Sequence, residues 1–290
     1  MTLTQAEVAA AKPLPLSKGV PLLGGIPHLI RSPFDYLQQA RDEVGDIFRL
    51  NVSGINIVVL NHPRHAQHML RDDAKNYPKE GAMWNSARRM FGNGLITSEG
   101  DFWLRQRRMI QPSFHRQAIH NLFELMLNAI DEQLAQWPTQ ATTLDLLPLF
   151  NRLTMNVIAQ TMFGVRFSEA RMQTISENVQ VIFDDLIRGM LDNVLPSWLP
   201  LPGRQKYQRA LEQFDEMVFE MIARCRAEKT AVGILPMLLE MQDQEIGDRM
   251  TDGQVRDELV SIFAAGYETT ALAMSWTADF LARDPKLQQT

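Results

Sequence analysis

The chain has 290 residues, a formal net charge of −5 and one cysteine. With 45% hydrophobic residues it can bury a sizeable core, and no linker divides it, so we predict a single domain over residues 1–290. Scattered charges of both signs exclude the basic footprint of a nucleic-acid-binding protein. One cysteine excludes an internal disulfide framework and is typical of a reducing cytosol, so we expect a cytoplasmic protein.

The first 32 residues are predicted to be irregular, because prolines and glycines cluster between positions 12 and 27. They hold no apolar run long enough for a signal peptide or a membrane anchor. Two β-rich runs, Ile47–Leu50 and Ile55–Leu60, lie on either side of a short polar turn and predict a hairpin. The fold class is therefore mainly α with a small sheet near the start.

Hydrophobic periodicity predicts the remaining elements. Residues 74–100 contain several glycines and are predicted to be irregular. Helices are predicted, in chain order, at residues 33–44, 63–71, 101–111, 116–136, 145–163, 168–191, 203–229, 233–241 and 252–283.

The predicted helix 252–283 is the longest element. A capping box from Thr251 to Gln254 begins it, and Asp284-Pro285 ends it. At 1.5 Å per residue it would span roughly 50 Å, so it has to pass through the middle of the molecule. Its nearly uncharged centre would also suit a membrane span, but its serines, threonines and Glu268 argue against lipid contact.

Residues 265–270 of this helix read Ala-Gly-Tyr-Glu-Thr-Thr. Glu268 is the only charged residue between Glu258 and Asp279, and we expect it to be buried. A buried carboxylate needs partners or becomes neutral. A helical glycine costs about 1 kcal/mol relative to alanine, and threonine competes for backbone carbonyls. Several local rules broken at one place indicate a functional site.

A second motif lies in residues 102–114, Phe-Trp-Leu-Arg-Gln-Arg-Arg-Met-Ile-Gln-Pro-Ser-Phe. Trp103 and Arg107 are four residues apart, which puts an indole N–H and a guanidinium on one face of a helix. The fixed fork of arginine donors suits a carboxylate.

Together these motifs resemble the cytochrome P450 family of haem-thiolate monooxygenases, from about Leu16 onwards. The resemblance implies a haem b cofactor and insertion of one atom of O2 into a hydrophobic organic substrate, by hydroxylation or epoxidation. Fatty acids and terpenoids remain open. Electrons would come from a separate ferredoxin or flavoprotein reductase, because the chain has no dinucleotide-binding fingerprint. The missing anchor indicates a soluble, bacterial-type member.

The resemblance also implies residue roles. Cofactor-binding positions are Trp103 and Arg107, which would donate to a haem propionate, and Ala265 and Gly266, which would leave a groove beside the iron. The catalytic residues would be Glu268 and Thr269, which relay protons, while Thr270 would only bond a backbone carbonyl. Substrate contacts would come from Leu95, Ile96, Phe263 and Ala264, below a connector at residues 190–202. Arg105 and Arg108 would face an acidic redox partner.

Two elements of the family pattern are not found. There is no E-x-x-R pair, and Cys225 has Val218, Met221 and Ala223 where the haem-cysteine loop requires Phe, Gly and Arg. We therefore expect an N-terminal fragment without the axial cysteine, inactive by itself. No protein metal site is expected either, since His62, His65 and His68 have no second ligand cluster.

Each motif also has a structural interpretation. Gly266 would admit a neighbouring helix, Thr269 and Thr270 would bond carbonyls, and Arg107 would lie in a solvated basic cluster. The alternative function is a non-catalytic or vestigial helical protein that binds a hydrophobic ligand. An acid beside a threonine favours the monooxygenase, because a pure binding protein has no use for that pair.

Overall fold

A computed structural model describes residues 13–52, 54–140, 142–192, 203–228, 232–243, 247–284 and 286–289, with side chains at Ala82 and residues 185–192 left out. The chain forms two compact units, Met1–Pro78 and Lys79–Thr290. The described residues are mainly helical with one two-stranded sheet, which confirms the predicted fold class. The single-domain assignment stays a prediction.

The first unit contains the predicted hairpin. Strands β1 and β2 are antiparallel, with Ile47 opposite Leu60 and Val52 opposite Ile55. Its elements are α1 (Ile26–Arg31), α2 (Pro33–Val44), β1 (Ile47–Val52), β2 (Ile55–Leu60), α3 (Pro63–Gln67), a π-helical turn (His68–Asp72) and a 3-10 turn (Ala74–Asn76).

Helix α1 corrects the prediction that residues 1–32 are irregular. Gly25 precedes the helix and Pro27 lies in its first turn. A proline there loses no hydrogen bond, because the first N–H groups of a helix have no partner within it. The prolines therefore begin a helix as well as interrupting the chain. Residues 1–12 lie outside the described part.

The second unit carries all the predicted site residues. Its helices are α4 (Ala82–Phe91), α5 (Gly100–Ile110), α6 (Arg116–Asn121), α7 (Phe123–Leu134), α8 (Leu146–Phe163), α9 (Glu169–Asp192), α10 (Arg204–Glu228), α11 (Ile234–Glu240) and α12 (Asp252–Arg283), with 3-10 turns at Gln111–Phe114 and Leu287–Gln289. Most bounds agree with the prediction within two residues.

Two predictions about this unit are wrong. Residues 74–100 contain α4, and the glycines that suggested a loop flank it: Gly81 has φ 91° and Gly92 has φ 57°. The predicted helix 116–136 is divided at Leu122, whose N–H bonds Ile119 O three residues back instead of four. That tighter turn interrupts the regular ladder.

Helix α12 is the central element of this unit. The capping box is confirmed, with Thr251 N donating to Gln254 Oε1 at 2.8 Å and Gln254 N donating to Thr251 Oγ1 at 3.3 Å. The helix contacts α4, α8, α10 and α11. Across the described residues, no helix is both long and apolar enough to cross a membrane.

A glycine sets how closely α12 approaches α8. A Cβ atom at Gly266 would lie 2.9 Å from Ile158 Cδ1, which is closer than side-chain carbons pack. Gly266 therefore has a packing role, as the structural interpretation of the motif held.

A buried arginine joins α12 to α4 and α10. Arg256 Nε donates to Asp215 Oδ1 at 2.8 Å, and Nη1 donates to Met90 O at 2.9 Å and to Asp257 Oδ1 at 3.0 Å. The Arg256 side chain is 8% exposed. Burial raises the pKa of Asp215, and the Arg256 charge opposes that rise. The guanidinium thus compensates two carboxylates and one carbonyl.

Arg256→Met should destabilise the protein by about 1–3 kcal/mol, because the partly buried carboxylates of Asp215 and Asp257 would lose their counter-charge and the Met90 carbonyl its donor. Urea unfolding followed by circular dichroism measures this change. Arg224→Met is the matched control: Arg224 pairs with Glu228 on the exposed face of α10, so its loss should cost less than about 0.5 kcal/mol. Equal costs for the two variants would contradict a structural role for Arg256.

Gly266→Ala should gain little or no stability in the unsubstituted background, because its contact with Ile158 offsets the helix propensity of alanine. With Ile158→Val, which removes the crowding Cδ1 atom, the same change should stabilise by about 1 kcal/mol. A double-mutant cycle measures the coupling between the two sites. Equal effects of Gly266→Ala in both backgrounds would show that packing does not select the glycine.

Candidate functional site

The segment Gly92–Ser98 lies directly against the first half of α12. Asp257 Oδ2 accepts the Asn93 N–H at 2.7 Å, and Glu258 Oε2 accepts the Leu95 N–H at 3.0 Å. A Cβ atom at Gly94 would lie 2.5 Å from the carbonyl oxygen of Asp257. The contact between segment and helix therefore requires glycine, and two neighbouring acids orient the segment.

Glu258 is fully buried. Its Oε1 atom has no hydrogen-bond partner among the described residues. Burial raises the pKa of this carboxyl to about 7, helped by the neighbouring Asp257 charge and opposed by the hydrogen bond from Leu95. A carboxyl whose pKa is shifted by burial beside a second acid is a candidate functional-site residue.

The predicted substrate residues fall into two groups. Leu95 and Ile96 are half-buried and pack against the core from the segment above α12. Phe263 and Ala264 are buried in the core, where the Phe263 ring lies 5.6 Å from that of Phe214. Two clefts of about 1110 and 1100 Å³ lie elsewhere, and no predicted site residue lines either. Connector 190–202 falls almost entirely outside the described residues.

The Trp103–Arg107 pair forms on α5 as its spacing predicts. The Arg107 guanidinium lies 5.3 Å from the centre of the Trp103 ring, a cation–π distance. Arg107 is exposed and Trp103 is half-buried. Neither side chain has a hydrogen-bond or ion-pair partner within the described part of the chain. Two kinds of donor thus lie together without an acceptor.

The second half of α12 presents the other motif on an open face. Ala265, Glu268 and Thr269 are exposed, whereas Ala264, Tyr267 and Ala271 on the opposite face are buried. The expectation that Glu268 is buried is therefore wrong for this chain. Burial raises the pKa of Tyr267, and the negative charge of Glu268 adds to that rise. The same open face continues along the helix through three large apolar side chains: Leu272, Trp276 and Phe280.

The two threonines differ in their hydrogen bonds. Thr269 Oγ1 donates to Ala265 O at 2.7 Å, which is the carbonyl bond assigned to Thr270 from the sequence. Thr270 is exposed and makes no such bond in the part of the chain that is described. The Thr269 hydroxyl oxygen keeps its acceptor capacity and lies one turn from Ala265.

The structure also bears on three other predictions: the arginines of a redox-partner surface, the role of Cys225 and the expected lack of a protein metal site. Arg105 Nε pairs with Asp243 Oδ2 at 2.9 Å, so this cation is engaged within the fold, which competes with a role at a partner surface; Arg108 is exposed. Cys225 is buried in α10, and burial raises the pKa of its thiol. No group of three or more His, Cys, Asp or Glu side chains among the described residues could hold a metal ion.

Sequence reasoning missed the run Arg256-Asp257-Glu258. Three consecutive charges suggest a solvated surface, and in the sequence Glu258 marks only the start of the nearly uncharged stretch that ends at Asp279. A signal was nevertheless present: Glu258 shares one helical face with Val255, Leu259 and Ile262. An acid on an apolar stripe indicates a buried carboxyl with a specific partner.

Comparison with known proteins assigns the whole of this arrangement to one family. The family model for cytochrome P450 matches residues 14–290. The pentalenene oxygenase of Streptomyces avermitilis is 26% identical over 93% of this chain and 59% of that protein. The cyclooctat-9-en-7-ol 5-monooxygenase of Streptomyces melanosporofaciens is 29% identical over 99% of the chain and 63% of that protein. The carotene epsilon-monooxygenase of Arabidopsis thaliana chloroplasts is 26% identical over 84% and 48%.

The chain thus spans about three fifths of the length of the bacterial relatives it matches. Within that span, the match includes both motifs, the long central helix and the small sheet near the start. The chain belongs to the cytochrome P450 family.

Proposed function

We propose that this chain is part of a haem-dependent monooxygenase that inserts one atom of O2 into a hydrophobic small molecule. The Trp103–Arg107 pair carries the proposal. Its two side chains lie on one face of α5, the arginine is exposed, and neither has a partner among the described residues. An arginine held in this way is suited to bind a carboxylate that the polypeptide does not supply.

The residues of the site fit a haem group. The indole N–H of Trp103 and the guanidinium of Arg107 are donors suited to a propionate. Ala265 is a small side chain on the open face of α12, and Leu272 and Trp276 give that face an apolar surface. Haem, when bound, supplies the oxygen-activating chemistry, which a thiolate ligand favours. The polypeptide positions the reactants, moves protons and excludes water.

Arg107→Leu should lower the fraction of protein that retains haem by about tenfold, because one good charge-assisted hydrogen bond contributes about 1.5 kcal/mol or more. Arg107→Lys should give an intermediate loss, since lysine keeps the charge but not the fork. The haem-to-protein ratio of the full-length protein after gel filtration measures this. Arg116→Leu, on the neighbouring exposed helix α6, is the matched control and should retain haem normally.

Haem retention in Arg107→Leu equal to that of the Arg116→Leu control would contradict the assignment of the pair. Its unpartnered donors would then be a feature of the exposed surface of α5 alone.

Glu268 and Thr269 are proposed to deliver protons to the site of oxygen reduction. Both are exposed on the same face of α12, next to Ala265. The carboxyl can take a proton from water, and the hydroxyl can pass it on, because a hydroxyl donates and accepts at once. In this structure the Thr269 hydroxyl donates to Ala265 O, so it would have to rotate away from that carbonyl to donate its proton, while its oxygen keeps its acceptor capacity.

Thr269→Val should slow oxygenation of substrate by at least about tenfold, because it removes a proton-transfer group with little change in shape. Release of hydrogen peroxide per electron pair consumed should rise in parallel, since undelivered protons leave oxygen reduction incomplete. Thr269→Ser is the matched control and should retain most of the activity. Unchanged product formation and peroxide release in Thr269→Val would exclude the relay, whereas failure of the unsubstituted protein to form any product would favour the alternative of a non-catalytic binding protein.

The proposed substrate is hydrophobic. Leu95 and Ile96 offer apolar side chains at the segment above α12, and apolar lining is the general property of small-molecule sites. The relatives' names specify pentalenene, cyclooctat-9-en-7-ol and carotene. A separate redox protein is proposed to supply the electrons, although one relative is named as a fused cytochrome P450 and NADPH–P450 reductase.

A further inference from the structure

We propose that Glu258 is a positioning residue that holds the Leu95–Ile96 segment against α12, and that its protonation state sets how often this segment opens. The part of the proposal that concerns substrate rests on the proposed function, since it is there that Leu95 and Ile96 become substrate contacts. The attachment of the segment itself depends only on the contacts of this chain.

The segment is attached to the body of the unit at several points. Thr97 Oγ1 donates to Gly92 O at 2.8 Å and closes the segment on itself. Lys79 Nζ donates to Ile96 O at 2.9 Å and to Ser98 O at 3.1 Å. The Leu95 N–H lies between these anchors and is satisfied by Glu258. The hydrogen bond to Glu258 therefore sets the distance between the Leu95 backbone and α12.

A carboxyl at this position is not required for packing. Glu258 is fully buried and lies on an apolar stripe with Val255, Leu259 and Ile262. A leucine or methionine would fill such a place without the cost of a buried polar group. Glu258 makes one hydrogen bond among the described residues, and that bond holds Leu95. The carboxyl of Glu258 therefore serves to position the Leu95 N–H.

Charged groups on three elements surround the contact. Asp257, on the same helix, accepts the Asn93 N–H and disfavours a second negative charge beside it. The Arg256 guanidinium is engaged by Asp215, Asp257 and Met90 O. From the segment side, the Lys79 amine is held by two carbonyls, and Arg88 by the carbonyls of Lys79 and Thr97. None of the hydrogen bonds that these cations make goes to Glu258.

The direction of the pH effect follows from this setting. Burial raises the pKa of Glu258 to about 7 from the 4.5 of a carboxyl in water, and the hydrogen bond from Leu95 opposes that rise. An opening of the segment that admits water to Glu258 restores hydration of the charged form, so the open segment binds the proton less strongly than the closed one. Its stabilisation is complete below pH 4.5, falls as the pH rises from about 4.5 to about 7, and is constant above that.

Amide hydrogen exchange of the 290-residue chain tests the proposal. After correction for the intrinsic rate, protection of the Leu95 amide should fall by up to about tenfold per pH unit between about pH 4.5 and 7. In Glu258→Gln, which keeps the acceptor oxygen but cannot ionise, protection should be retained and independent of pH. In Glu258→Met, which has no acceptor, the Leu95 amide should exchange at least about tenfold faster at pH 5.

Thr161→Val is the matched control. It also removes one buried polar atom, but the Thr161 hydroxyl donates only to carbonyls of its own helix, Val157 O and Ile158 O. In Thr161→Val, protection of the Leu95 amide should depend on pH in the same way as in the unsubstituted chain. Amides of Leu259–Ala264 in α12 serve as an internal reference for folding. If Glu258→Met does not fold, the comparison with Glu258→Gln decides alone.

The same pH profile in Glu258→Gln and in the unsubstituted chain would overturn the proposal. Unchanged exchange of the Leu95 amide in a folded Glu258→Met variant would overturn it as well. The exchange experiment needs neither haem nor substrate, so its failure removes the positioning role alone. Failure of the Arg107 haem-retention experiment removes the proposed function alone.

Discussion

The buried guanidinium of Arg256 is the contact on which the geometry of the site depends. A charge in the interior is tolerated only when its partners are close and complete, and Arg256 finds them on α10, on α4 and beside itself on α12. Three helices are thereby held at one point. The segment Gly92–Ser98 begins where α4 ends, so its position on α12 follows from the same contact.

Helix α12 changes character along its length. Its first half is surrounded by protein and buries charged residues that organise the neighbouring elements, among them Arg256 and Glu258. Its second half leaves one face open, and that face carries Ala265, Glu268 and Thr269 before Leu272 and Trp276. Exposed apolar side chains in a continuous row mark a surface that binds something else. One half of the helix therefore builds the fold, while the other presents chemistry.

Residues 265–270 combine a glycine, an acid and two threonines within one helix, and these residues have different structural causes. Gly266 admits Ile158 from α8, so its missing side chain is explained by packing. Thr269 bonds a carbonyl of its own helix, as threonines commonly do. Glu268 is exposed, where water solvates its charge without a burial cost. Its role in proton delivery therefore rests on the proposed function and not on its burial.

Short-range physics determined much of this protein from the sequence alone. The capping box, the hairpin, the long helix and the four-residue spacing of Trp103 and Arg107 all depend on neighbours in the chain, and each was predicted correctly. Tertiary structure alone decided that Glu258 accepts the Leu95 N–H, that Glu268 is exposed, and that Arg105 pairs with Asp243. Those outcomes depend on which distant backbone or side chain approaches, because a carboxylate can be stabilised by water, by a backbone N–H or by an arginine.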